Sequence, residues 1–133
     1  MLGMLDRAGR LPIHHEASEG RTDELRQSLA AGSDPNVPDD AGFTPLHFAA
    51  QNLHADAAQA LIDAGASLQA RNRFGATPLH LALFNVRDTE GAIVRVLLAA
   101  GADPDDPNDT GVTPRGLAER VSNYDLMRFF RDD

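Results

Sequence analysis

Three histidines, His14, His47 and His80, recur at steps of 33 residues. A regular ladder of imidazoles is the pattern in this chain that most invites a metal ion. One ion needs its ligand nitrogens within about 2 Å, however, and packed helices hold equivalent positions about 10 Å apart. A ladder generated by stacking therefore cannot converge on a shared site. The acidic run Asp103, Asp105, Asp106 and Asp109, beside Pro104 and Pro107, lacks the turn glycine and distal glutamate of a calcium loop. It reads first as a solvated loop and second as an acidic patch for a partner's arginines or lysines. None of Ser18, Ser28, Ser33, Ser67 or Ser122 lies in a Gly-x-Ser-x-Gly turn, and no phosphate-binding Gly-x-x-x-x-Gly-Lys exists. An acid–base enzyme built on Asp105, Asp106, His54 or Glu90 is the remote alternative, and neither cofactor nor metal is expected.

The chain has 133 residues, no cysteine, and twelve basic residues that are all arginine against twenty acidic ones, a formal charge of -8. Without cysteine there are no disulfides, thiolate metal sites or cysteine nucleophiles. Phosphate neutralisation needs clustered positive charge, so nucleic acid is a poor partner, and an anionic membrane surface repels the chain. A basic protein partner would be attracted at long range. No apolar run approaches the ~18 residues of a membrane span, and charges at Asp6, Arg7 and Arg10 break any signal-like core. The expectation is a single soluble domain over 1–133, monomeric and cytoplasmic.

The elements that position these residues follow from a repeat. Gly42-Phe43-Thr44-Pro45-Leu46-His47 returns as Gly75-Ala76-Thr77-Pro78-Leu79-His80 after 33 residues. A degraded copy begins at Gly9, and Gly111-Val112-Thr113-Pro114 follows Gly75 by 36. A second marker runs in phase as Ala31-Gly32, Ala64-Gly65 and Ala100-Gly101, which confines the three added residues to 85–91. In the second copy, Thr44-Pro45 predicts a helix start, since a hydroxyl can cap free N–H groups and proline fits the first turn. Leu46, Ala49 and Ala50 make a short helix with a small face. Ala57, Ala58, Leu61 and Ile62 make a second helix, and Gly65 ends it. Residues 67–74 lack helical periodicity and predict a hairpin-like connection. Neither helix can bury its apolar stripe alone, and stacking against the next copy does so.

These motifs resemble the ankyrin repeat signature, over about residues 8–131. Gly-Phe-Thr-Pro-Leu-His-Phe-Ala-Ala at 42–50 and Gly-Ala-Thr-Pro-Leu-His-Leu-Ala-Leu at 75–83 carry most of it, with Ser33-Asp34-Pro35-Asn36 and the segment 96–104 in support. The resemblance implies an all-α repeat solenoid of helix-turn-helix units with β-hairpin or loop fingers and a concave face. It divides the chain at about 8–38, 39–71, 72–107 and 108–133. It also implies that each motif histidine bonds a local hydroxyl and neighbouring backbone, while His15 and His54 lie at the surface. The end copies depart as polar caps should. His15, Glu16, Glu24, Gln27 and Ser28 replace apolar positions in the first, and Arg115-Gly116 replaces Leu-His in the last. Leu117, Ala118, Val121, Leu126, Met127, Phe129 and Phe130 remain to pack inward, so a complete four-repeat protein is expected.

The resemblance further implies recognition of another protein by finger tips and the exposed face of each first helix. Carried over to this sequence, those positions are Asp40, Ala41, Phe43, Gln51 and Asn52, then Arg73, Phe74, Ala76, Phe84 and Asn85. Asp109, Thr110, Val112 and Arg120 follow, with Arg10, Ser18 and Glu19 in the first copy. Phe43, Phe74 and Phe84 are half of the six phenylalanines, and buried aromatic anchors dominate interface energetics. Phe43 and Phe74 could instead fold back on adjacent fingers. The chain is also similar to stand-alone bacterial ankyrin proteins, some of which are immunity proteins against a secreted toxin, and its charge fits a basic target. A scaffold or adaptor role is the alternative.

Overall fold

Proline sits one residue into each first helix, where its missing N–H costs no bond and its fixed φ is already helical. A computed structural model describes residues 6–86, 91–120 and 126–130. Its elements are α1 (Pro12–Ser18), α2 (Thr22–Ala30), α3 (Pro45–Gln51), α4 (Ala55–Asp63), α5 (Pro78–Asn85), α6 (Ala92–Ala99), α7 (Pro114–Arg120) and a 3-10 turn, Leu126–Phe130. Thr44 and Thr77 cap α3 and α5, each hydroxyl accepting from the backbone N–H of the histidine three residues on. At α1 a leucine occupies that position and supplies no side-chain cap. Gly65 follows α4 with φ +97°, the left-handed stop expected there. Among the described residues there are no strands, so the connections expected as β-hairpin or loop fingers take the loop form, as turns held by side chains.

The helices stack as a solenoid. α3 is its centre, packed against α1, α4 and α5, and Pro45 through Ala50 are all buried. Ala49, Ala50, Ala57 and Ala58 are fully buried, and their small side chains let neighbouring helices approach closely. Leu25, Leu46, Leu61, Leu79, Leu83 and Leu97 fill the spaces between, each contributing about 2 kcal/mol by burial. The turn from α3 to α4 places Leu53 at φ +64°, where the turn from α1 to α2 has Gly20 at φ +70°. A left-handed leucine costs about 1–2 kcal/mol, and its side chain packs against the core in return. At the C-terminal end Leu117, Ala118 and Phe130 are buried, with Met127 and Phe129 packed on them. The expected packing of Val121 and of the Leu126 side chain, and the insertion at 85–91 apart from its ends, lie outside the described residues and side chains.

Candidate functional site

Four finger turns project between the helices, and each is organised by one side chain. Asp6, Asp39, Asn72 and Asn108 occupy the same finger position, three residues before Gly9, Gly42, Gly75 and Gly111. In each, the side-chain oxygen accepts from the N–H groups two and four residues on, at 2.9–3.1 Å. The turn closes with the glycine N–H donating back to the carbonyl of that same residue. Asp39 is buried and pairs with Arg10 at 3.3 Å, the arginine lying over Phe48. In the next finger Phe43 takes the place of Arg10 and Asn72 the place of Asp39. Of the two carboxylates at this position, the buried one, Asp39, is the one an arginine meets, as burial of charge requires, while Asp6 is exposed. The helix and marker patterns did not reveal these residues. Their recurrence in phase with the glycines was the signal available.

The motif histidines tie neighbouring units together. Nδ1 of His14, His47 and His80 accepts from the backbone N–H of Leu11, Thr44 and Thr77, which leaves Nε2 as the protonated nitrogen. Nε2 donates to Val37 O, Ala76 O and Val112 O, each at 2.8 Å. All three rings are buried and held neutral, because burial disfavours the imidazolium. The His47 pKa is lowered most, from 6.5 to about 4. Each ring nitrogen is thus occupied by backbone, which is a structural use. His15 and His54 are half-buried rather than fully at the surface, His15 bonding Asp6.

The expected recognition residues divide sharply. Asp40, Phe43, Gln51 and Arg73 come together on a cleft of about 350 Å³, with Arg7, Arg10, Asp39 and Phe48 completing its wall. Phe43 is half-buried and stacked on Phe48 at 5.4 Å, so it serves the fold. Phe74 and Phe84 are 57% and 60% exposed, and among the described residues they are the large apolar side chains left in water. Arg73 lies over the Phe74 ring. Asn52 donates to Ser18, stitching the first two helix pairs, and Asn85 donates to Leu81 O within its own helix. Asp109, Thr110 and Arg120 are exposed, while Val112 is half-buried and lends its carbonyl to His80. Ala76 corrects the expectation: it is 4% exposed, with its side chain packed inside and its carbonyl taken by His47.

The acidic run is also less available than its composition suggests. Asp105 pairs with Arg115 and Asp106 with Arg71. The Arg115 guanidinium holds the Asp105 carboxyl below the ordinary range. Of the residues an enzyme would need, Asp105 and Asp106 are so paired and Glu90 lies outside the described residues. His54 lines a shallow hollow beside Gly20. Among the described residues no three His, Asp or Glu side chains are grouped to hold a metal, and no helix is long and apolar enough to cross a membrane.

A family model described as ankyrin repeats in three copies matches residues 13–108. The chain belongs to the ankyrin repeat family. That span runs from the first motif helix, α1, to the start of the fourth finger. Ankyrin repeats generally mediate binding between proteins, and the family is typically a non-enzymatic interaction module. No curated protein matches the sequence, so the assignment rests on the repeats themselves.

Proposed function

We propose that this ankyrin protein is a non-enzymatic binder of one protein partner, engaged through the fingers and the exposed ends of the inner helices. The exposure of Phe74 and Phe84 carries this reading. Large apolar side chains in water are costly to maintain, and burying such rings supplies the anchoring energy of an interface. Arg73, which lies over the Phe74 ring, with Asp40, Gln51, Asp109, Thr110 and Arg120, would supply polar contacts to the partner. We assign α7 and the 3-10 turn to a fourth, capping repeat and place the protein in the cytoplasm.

Inhibition of a basic toxin, as by an immunity protein, is the favoured partner class, and its support is the net charge of -8. That support is a long-range field, since Asp105 and Asp106 are neutralised within the chain. An adaptor is the second reading, favoured by the balanced signs of Arg7, Asp40, Arg73 and Asp109 along the fingers. Capture from native lysate, beside a Phe74→Ala/Phe84→Ala bait, tests the proposal. One stoichiometric partner lost with the double variant supports it, since anchor rings typically contribute ~2 kcal/mol or more. A basic partner that is toxic when expressed alone selects the immunity reading. Identical capture by both baits removes the aromatic anchors and the proposal with them.

A further inference from the structure

The second residue of each finger is Arg7, Asp40, Arg73 and Asp109 in turn, so charge alternates along the row. The fingers share one register even though the last sequence step is 36 residues and the others 33. Asp40 N–H donates to Ala8 O, Arg73 N–H to Ala41 O and Asp109 N–H to Phe74 O, at 2.9, 2.9 and 3.1 Å. The added residues fall between the end of α5 and the start of α6, and the finger spacing is unchanged. All four charged residues are exposed, and among the described residues none of them makes an ion pair. Other arginines of the chain, Arg10, Arg21, Arg71 and Arg115, are paired. The third residue of each finger is Ala8, Ala41, Phe74 and Thr110, one large exposed ring in a row of small side chains.

We propose that the finger row is a self-association surface that receives a second copy of this chain, antiparallel, about a two-fold axis between the second and third fingers. Reversal of the row places opposite signs face to face: Arg7 meets the partner's Asp109, and Asp40 meets the partner's Arg73. Each pairing occurs twice, as a two-fold interface requires. The same reversal sets Phe74 against the partner's Ala41, a small residue on the wall of the cleft, so size and charge match together. A parallel copy in register would set like charges opposite one another along the whole row. Exposed ion pairs are individually weak, so the dimer is a weak, reversible one where the sequence led to a monomer. The net charge of -8 opposes it, and physiological salt screens that repulsion beyond about 8 Å.

The test is sedimentation equilibrium of the purified chain in 0.15 M salt, at concentrations up to about 1 mM. A concentration-dependent monomer–dimer equilibrium is expected. Arg73→Asp sets like charges against the partner's Asp40 twice and should weaken association at least tenfold. Asp40→Arg should weaken it as much, although that variant lowers the net charge, which separates local pairing from general repulsion. The double variant Arg73→Asp/Asp40→Arg restores every antiparallel pairing and should recover the wild-type dissociation constant within about threefold. In a parallel copy shifted by one finger, which the wild-type alternation would also satisfy, the double variant sets like charges opposite at two of the three pairings. A chain that stays monomeric throughout, single reversals without effect, or a charge swap that fails to restore association would each overturn the proposal. Circular dichroism establishes that each variant is folded. Because only the purified chain is used, the result is independent of partner capture, and Phe84→Ala should leave the dimer unchanged.

Discussion

Acidification from pH 7.5 to 5.5 should destabilise the fold through its buried histidines. His47 is neutral in the folded chain, with Nδ1 accepting from Thr44 N–H and Nε2 donating to Ala76 O, and its pKa is pushed down to about 4. In the unfolded chain the same ring titrates near 6.5. The stabilising difference is fully present above pH 6.5 and is lost as pH falls toward 4, because only the unfolded chain takes up the proton. At pH 5.5, one unit below the unfolded pKa, the folding equilibrium drops about tenfold from His47 alone, roughly 1.4 kcal/mol. His14 and His80 are depressed in the same direction by burial and add to the loss. The Asp6 and Asp105 carboxyls are lowered and titrate below this window. Urea unfolding at both pH values measures the loss. Acidification also shrinks the net charge, which works in the opposite direction, so the decisive comparison is with His47→Gln. That variant should be less stable at pH 7.5 but should lose about tenfold less between the two pH values. Equal pH dependence in wild type and variant would refute the assignment of a neutral, doubly bonded ring.

Gly75→Ala should cost at least about 2 kcal/mol, because a left-handed alanine costs about 1–2 and the new Cβ would also stand 2.7 Å from the Asp109 backbone nitrogen. Gly65→Ala has a similar φ but open space around it, so urea unfolding should show only the smaller backbone cost. Equal losses would show that the close approach between fingers is unimportant. Asn72→Ala removes the acceptor for the N–H groups of Phe74 and Ala76, and unfolding should report a loss of about 1–3 kcal/mol. A loss under about 0.5 kcal/mol would mean that water replaces the side chain there.

The repeat period, the Thr-Pro helix starts and the Ala-Gly stops were legible in the sequence because local chemistry carries them. A hydroxyl cap, a proline at the first turn and a glycine at a left-handed stop act within a few residues of themselves. The second helix of each pair followed from apolar spacing, and α4 buries Ala57, Ala58 and Leu61 as that spacing predicts. Site residues were legible only by position. The spacing places Phe43, Phe74 and Ala76 alike on fingers, yet Phe43 stacks on Phe48, Ala76 is buried, and Phe74 remains in water. Nothing local separates the three, since the outcome depends on what the adjacent finger and helix offer to pack against.

The same boundary divides the charges. From the sequence alone come a period of 33 residues, helix pairs that must stack, and an excess of acidic residues over arginine. Those follow from covalent order and from burial of apolar stripes that no single helix can satisfy. Tertiary structure decided which charges are spent. It joined Arg71 to Asp106 across 35 residues of chain and Arg10 to Asp39 across 29, and among the described residues it left Arg7, Asp40, Arg73 and Asp109 without an ion pair, in one register. Ion pairing depends on distance in space, and residues far apart in sequence come close only once the repeats have stacked.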